Sequence, residues 1–161
     1  MTTPTTSIAL NNCFVTVDDP DAALEFYRDV LGLSVKTDVT NGDFRWLTLT
    51  TASQPELEIT ISQIGSGFPM SDADKEALGD LLAKGLLSAL IFHVDDVEAL
   101  FEHVRSSGAE VLQEPVDQFY GVRDCAFRDP AGNMVRFATE KPEVADLPGA
   151  GYPEKAADSS A

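Results

Sequence analysis

Moving a proton, holding a metal ion or forming a covalent intermediate needs a side chain suited to the task. This 161-residue chain offers few: two histidines, two cysteines and a handful of polar residues set into apolar strands. Glu58 and Thr60 alternate with Leu57, Ile59 and Ile61, and a carboxylate in that setting can act as a general base or contact a ligand. His93 closes the run Leu90-Ile91-Phe92-His93; it is either a histidine hydrogen-bonded at the edge of the core or a general base or ligand contact. Arg136, between Val135 and Phe137, brings a permanent cation with five donors. Glu58 and His93 are the candidates for catalysis, whereas His103, in a predicted helix, reads as a surface or interface residue. Cys13 and Cys125 fall in predicted apolar strands without the spacing of a metal knuckle or disulfide framework, and read as reduced core residues.

These groups need strands to position them. Successive side chains on a strand point to opposite faces, so a strand between a core and a cavity is apolar on one parity and mixed on the other. Cys13, Val15 and Val17 oppose Asn12, Phe14 and Thr16; Leu90, Phe92 and Val94 oppose Ala89, Ile91 and His93; Val135 and Phe137 oppose Met134, Arg136 and Ala138. Leu47 and Leu49 likewise send Trp46 and Thr48 to the mixed side. The candidate ligand-binding residues are therefore Asn12, Phe14, Trp46, Glu58, Thr60, Ile91, His93, Met134 and Arg136. Tyr120, in Phe119-Tyr120-Gly121, joins them as an aromatic rim, with ordinary loop packing the alternative. An aromatic lining with scattered polar groups is the usual character of a small-molecule site.

The strands and helices occur in a repeat. Val17-Asp18-Asp19 and Val94-Asp95-Asp96 each follow an apolar strand and precede a helical pattern that ends at a glycine, Gly32 or Gly108. Module one (8–62) is predicted to hold a strand over 10–17, a helix over 20–31 and strands near 33–39, 44–50 and 56–62, with Asn41-Gly42 as a hairpin turn. A linker over 63–85 carries a helix near 77–84. Module two (86–140) repeats the order with a strand over 87–94, a helix over 96–107 and strands near 109–114, 121–128 and 133–139. Residues 1–140 thus read as one domain, and residues 141–161, rich in Pro, Gly, Ala, Asp and Ser, as a flexible tail.

Strand, helix and three strands performed twice, together with Phe26-Tyr27-Arg28-Asp29-Val30-Leu31-Gly32-Leu33 and Phe127-Arg128-Asp129-Pro130-Ala131-Gly132-Asn133, resembles the vicinal oxygen chelate superfamily of glyoxalases, bleomycin resistance proteins and dioxygenases. The resemblance implies an α+β fold of two βαβββ modules forming a cup-shaped, eight-stranded mixed sheet, and a homodimer. It also places the metal ligands of metal-dependent members at Asn12, Glu58, Ala89 and Arg136. Only Glu58 keeps a ligand of the expected kind, and a guanidinium beside it opposes a cation, so no divalent metal or other cofactor is expected there. Glu58 and Arg136, of opposite charge at converging positions, read instead as a structural ion pair, as ligand contacts or as catalytic groups.

With 27 acidic against 11 basic residues, the formal charge of −16 argues against nucleic acid and anionic membranes and suits a cationic or aromatic small molecule. No long apolar run or leader pattern occurs, which points to a cytoplasmic protein with no membrane partner. The expected function is metal-independent small-molecule binding of the sequestration or resistance type. The alternative is an enzyme of the same superfamily, a glyoxalase-like lyase or isomerase or a dioxygenase-like protein, with atypical metal ligands or acid–base chemistry at Glu58 or His93.

Overall fold

The computed structural model describes residues 7–141; of the tail expected over 141–161, all but Lys141 lies outside the described residues. Module one comprises β1 (Asn12–Val17), α1 (Pro20–Leu24), a π-helical continuation (Glu25–Val30), β2 (Ser34–Asn41), β3 (Phe44–Thr51) and β4 (Gln54–Gln63). Helix α2 (Asp72–Ala83) links it to β5 (Ala89–His93), α3 (Val97–Ser106), β6 (Val111–Asp117), β7 (Val122–Arg128) and β8 (Met134–Glu140). The eight strands divide into two sheets of identical plan, β1-β4-β3-β2 and β5-β8-β7-β6, in which the first pair is parallel and the others antiparallel. This is the α+β arrangement of two βαβββ modules. Pro115, which cannot donate to a ladder, sits in β6, an edge strand.

The doubled acidic pair resolves into helix caps. Asp19 Oδ1 accepts hydrogen bonds from Asp21 N at 2.9 Å and Ala22 N at 3.2 Å, and Asp96 Oδ1 accepts from Ala99 N at 2.9 Å. Each carboxylate thereby satisfies first-turn N–H groups that have no partner within the helix. Helix α2 starts earlier than the periodicity predicts, because Ser71 Oγ accepts from Asp74 N at 3.1 Å and so fixes the start at Asp72. After Leu24 the first helix widens: Leu31 N donates to Phe26 O, five residues back, at 3.0 Å.

The apolar parities meet in one core. Val15, Val17, Leu47, Leu49, Ile59 and Ile61 of the first sheet join Cys125, Phe127, Val135 and Phe137 of the second, with Phe26, Tyr27, Phe101 and Val104 from the helices. A buried polar clip fastens the modules to each other. Tyr27 OH donates to Asp129 Oδ2 at 2.8 Å, and Asp129 Oδ1 accepts from Ala131, Gly132 and Asn133 N at 2.8–3.0 Å. Asn133 Nδ2 donates to Asp129 Oδ2 and, at 2.9 Å, to the carbonyl of Thr16 in module one. Burial and the adjacent Asp129 carboxylate push the Tyr27 phenol far up, so it remains a donor. Gly132 is required where it stands: its φ is +116°, and a Cβ there would collide with the Leu82 carbonyl oxygen. Among the described residues, no helix is long and apolar enough to cross a membrane.

Candidate functional site

Each sheet turns its apolar parity to the shared core and its mixed parity to the opposite face, where Phe14 and Ile91 are exposed but Thr48, Thr60 and Asp124 are buried. On module one, Phe14, Trp46 and Thr60 come together as the alternation predicts, and they line a cavity of about 220 Å³ with Phe44, Ser66 and Phe68. Trp46 forms one wall, with the Phe14 ring 6.2 Å away at 71° and the Phe44 ring 6.3 Å away at 34°. Gly67, at φ +84°, permits this packing: a Cβ there would lie 3.1 Å from the Phe44 ring. Ser66 Oγ is buried without a hydrogen-bond partner among the described residues, which leaves an unpaired polar group in a lining that also holds Thr60, Ser62 and Gln63. The one charged residue in the lining, Arg45, is held by Asp38 and Asp21 at 2.6–2.8 Å.

Deeper on the same sheet, Asn12 Oδ1 accepts from Thr60 Oγ1 at 2.7 Å. Glu58 pairs with Lys36 Nζ at 2.8 Å, and the lysine beside it holds its carboxyl below the usual glutamate range.

Module two's mixed face is organised around a carboxylate. Asp124, only 1% exposed, accepts from Arg136 Nη1 at 2.6 Å, Gln113 Nε2 at 2.7 Å and Gln118 Nε2 at 2.8 Å, with Tyr120 OH at 3.5 Å. Burial alone raises its pKa, but the bonds from Gln118, Arg136 and Gln113 outweigh that and hold the carboxyl below the ordinary aspartate range. Arg136 Nη2 has a weaker contact, 3.9 Å to the Met134 sulfur. Two expectations are corrected here. Glu58 and Arg136 do not pair with each other, because each is already neutralised within its own sheet, by Lys36 and by Asp124. His93 is not tucked against the core: its side chain is 66% exposed, with Asp95 Oδ1 at 4.0 Å.

Ile91 stands 68% exposed on the edge strand β5 and borders a second cleft that includes Cys13, Leu57 and Phe92. Tyr120 is half-exposed and packs edge-on against Phe119 with ring centroids 5.1 Å apart. Both cysteines are free; burial raises the Cys13 thiol and pushes Cys125 up to about 11, as suits inert core thiols.

Sequence reasoning missed Asp124, Gln113, Gln118, Phe44 and Phe68. Asp124 had a signal: a lone carboxylate inside a predicted strand, on the parity opposite Cys125 and Phe127. Phe68 had none, because it belongs to a glycine-rich loop without periodicity.

A family model for the Glyoxalase/Bleomycin resistance protein/Dioxygenase superfamily matches residues 9–137. The chain belongs to that superfamily. Among solved structures of the fold, UcmS2 superposes with a TM-score of 0.75 at 32% identity, covering 83% of this chain and 98% of its own. TnmS3, an antibiotic binding protein from a Streptomyces species, gives a TM-score of 0.66 at 22% identity over 86% of this chain and 100% of its own. A probable lactoylglutathione lyase of Vibrio cholerae is 25% identical over 134 residues, 83% of this chain and 91% of that protein.

The metal positions inferred from the superfamily can be tested on this geometry, and they do not fit a divalent cation. Asn12 is committed to Thr60, Glu58 to Lys36 and Arg136 to Asp124, and Ala89 has no donor atom in its side chain. Among the described residues, no three His, Cys, Asp or Glu side chains converge. Binding a metal would require displacing Lys36 from Glu58 and pulling the Arg136 guanidinium off Asp124, which would leave that buried carboxylate uncompensated.

Proposed function

We propose that this protein binds and sequesters an aromatic small molecule without a metal. The observation that carries this reading is the corner of rings formed by Phe14, Trp46 and Phe44 on an outward-facing sheet. A well-placed ring contributes about 1 kcal/mol to stacking beyond the area it covers. TnmS3, which shares the fold, is an antibiotic binding protein, and that agrees with this role.

At about 220 Å³, the cavity falls short of the roughly 300–1,000 Å³ that drug-sized ligands occupy. Phe14 at 59% and Ile91 at 68% exposure, both on edge strands, are apolar surface that a second copy can cover while enclosing the guest. The assembly proposed is therefore a homodimer in which the site is closed by the partner copy.

The enzymatic alternative draws on the similarity to a probable lactoylglutathione lyase. Against it, Lys36 keeps the Glu58 carboxyl low, which makes it a weak base near neutral pH. A thermal-shift screen of planar aromatic compounds, run with and without a chelator, separates the readings. Stabilisation that survives chelation and is lost in Trp46→Ala supports sequestration. Stabilisation that requires a stoichiometric transition metal overturns it.

A further inference from the structure

We propose that Ser66 sets the specificity of the ring-lined cavity, and that the guest is a neutral aromatic compound carrying a hydroxyl group, of the phenol class. This rests on the binding reading above and adds the chemistry of the guest. Ser66 Oγ is buried and has no hydrogen-bond partner among the described residues, yet Ser66 lines the same cavity as Phe14, Phe44 and Trp46. A buried hydroxyl without a partner is a net cost to folding, and the loop carries that cost. The Ser66 amide donates to the Gln63 carbonyl at 3.0 Å, and Gly65 and Gly67 flank it at φ +79° and +84°. Backbone alone therefore holds the side chain at the cavity wall, where its hydroxyl is free to meet a guest. A few fixed polar groups among rings are what orients a ligand in a small-molecule site.

The lining selects the polar group. Thr60 Oγ1 gives its proton to Asn12 Oδ1 at 2.7 Å, so toward a guest that oxygen can only accept. Ser66 can donate or accept. A guest that donates therefore matches both hydroxyls, whereas one that only accepts matches Ser66 alone. Charge narrows the choice. Arg45, the one charged residue of the lining, is held by Asp38 and Asp21, two carboxylates to one guanidinium in a chain of formal charge −16, so an anion meets no uncompensated cation. Among the described residues no carboxylate lines the cavity, so a cation finds no partner there. A bare hydrocarbon fills the space and leaves the Ser66 hydroxyl unpaired. The guest's ring lies against Trp46 and Phe14, and its hydroxyl meets the Gly65-Ser66-Gly67 loop.

The test uses four flat bicyclic probes of similar size: naphthalene, 2-naphthol, the anion 2-naphthoate and the cation N-methylquinolinium. Affinities are read by calorimetry or fluorescence on the full chain and on Ser66→Ala and Trp46→Ala, and the urea midpoint of ligand-free Ser66→Ala is measured beside the parent. The expected result is 2-naphthol bound about fivefold more tightly than naphthalene, with Ser66→Ala removing that preference, keeping naphthalene affinity and leaving the midpoint unchanged or raised. Trp46→Ala should weaken every probe and keep the naphthol preference, which separates the ring contribution from that of the hydroxyl. Equal binding of naphthol and naphthalene, a preference that survives in Ser66→Ala, or tighter binding of either ion overturns the inference and leaves aromatic sequestration standing. A lowered midpoint together with weaker naphthalene binding in Ser66→Ala shows that the hydroxyl holds the loop, and overturns the inference as well. Failure of all four probes to bind removes the sequestration reading and the inference together.

Discussion

Phe14 pairs with Thr60 on module one, and the register-equivalent pair on module two is Ile91 with Arg136; two residues before the next partner stand Trp46 in one sheet and Asp124 in the other. Strand order, parallel first pair, aspartate cap and terminal glycine are the same in both. The backbone plan therefore fixes where side chains project, while the residue types at a few outward positions decide whether that place is a ring-lined corner or a buried charge network. A fold shared across unrelated chemistries behaves in this way within a single chain.

The largest expected effect tests whether module two's network is as costly to break as its burial implies. Asp124→Ala leaves the Arg136 cation without its carboxylate and orphans the Gln113 and Gln118 donors, so stability should drop by about 3–5 kcal/mol in urea unfolding. Trp46→Ala, on the half-buried aromatic wall, should cost less, about 1–2 kcal/mol of stability. A larger loss at Trp46 than at Asp124 would reverse the contrast between the two sheets.

How far these positions were legible in the sequence follows from the same contrast. The parity rule found Phe14, Trp46 and Thr60 because apolar alternation on β1, β3 and β4 continues uninterrupted on the core side. It also placed Arg136 on the outward face, but it could not find the partner, because pairing depends on which strand lies alongside. In the structure β7 lies beside β8 and brings Asp124 to Arg136, whereas Glu58 is met by Lys36 of β2. The repeated Val-Asp-Asp revealed the fold for a local reason, since capping a helix needs only residues near its first turn. Phe68 and Ser66 reach the cavity through a loop whose course no periodicity encodes.

The acid limb of stability sharpens the comparison next. The folded pKa of Asp124 is depressed, so the stability it contributes is complete above the ordinary aspartate value of about 4 and is lost as pH falls through the lower folded value. Denaturant midpoints measured from pH 6 down to pH 2 should fall steeply for the parent chain and more gently for Asp124→Asn. An unchanged slope would mean that module two's carboxylate is not the one that titrates with unfolding.

Smaller again is the effect of Tyr27→Phe, which removes one bond of the clip between the modules. Asp129 Oδ2 keeps the Asn133 donor, so the expected loss is about 1–3 kcal/mol, the cost of one buried acceptor made partly unsatisfied. Because a single core spans both sheets, unfolding of this variant should remain one transition by fluorescence and circular dichroism. Two separate transitions would show that the modules are independent units and that the shared core does not bind them.

The smallest effect belongs to the carboxylate that first drew attention as a catalytic candidate. Glu58 meets Lys36 at 2.8 Å, but the lysine side chain is 44% exposed and water screens the pair. Glu58→Gln should therefore shift the urea midpoint far less than Asp124→Ala does, although both are carboxylates bonded to a cation on the mixed face of the same kind of sheet. The difference comes from depth: Asp124 has no solvent to fall back on when its partner is removed, while Lys36 can turn to water. If Glu58→Gln instead destabilised as much as Asp124→Ala in the same urea titration, module one would hold a buried charge of its own. The division into a ring-lined sheet and a charge-network sheet would then fail at Glu58.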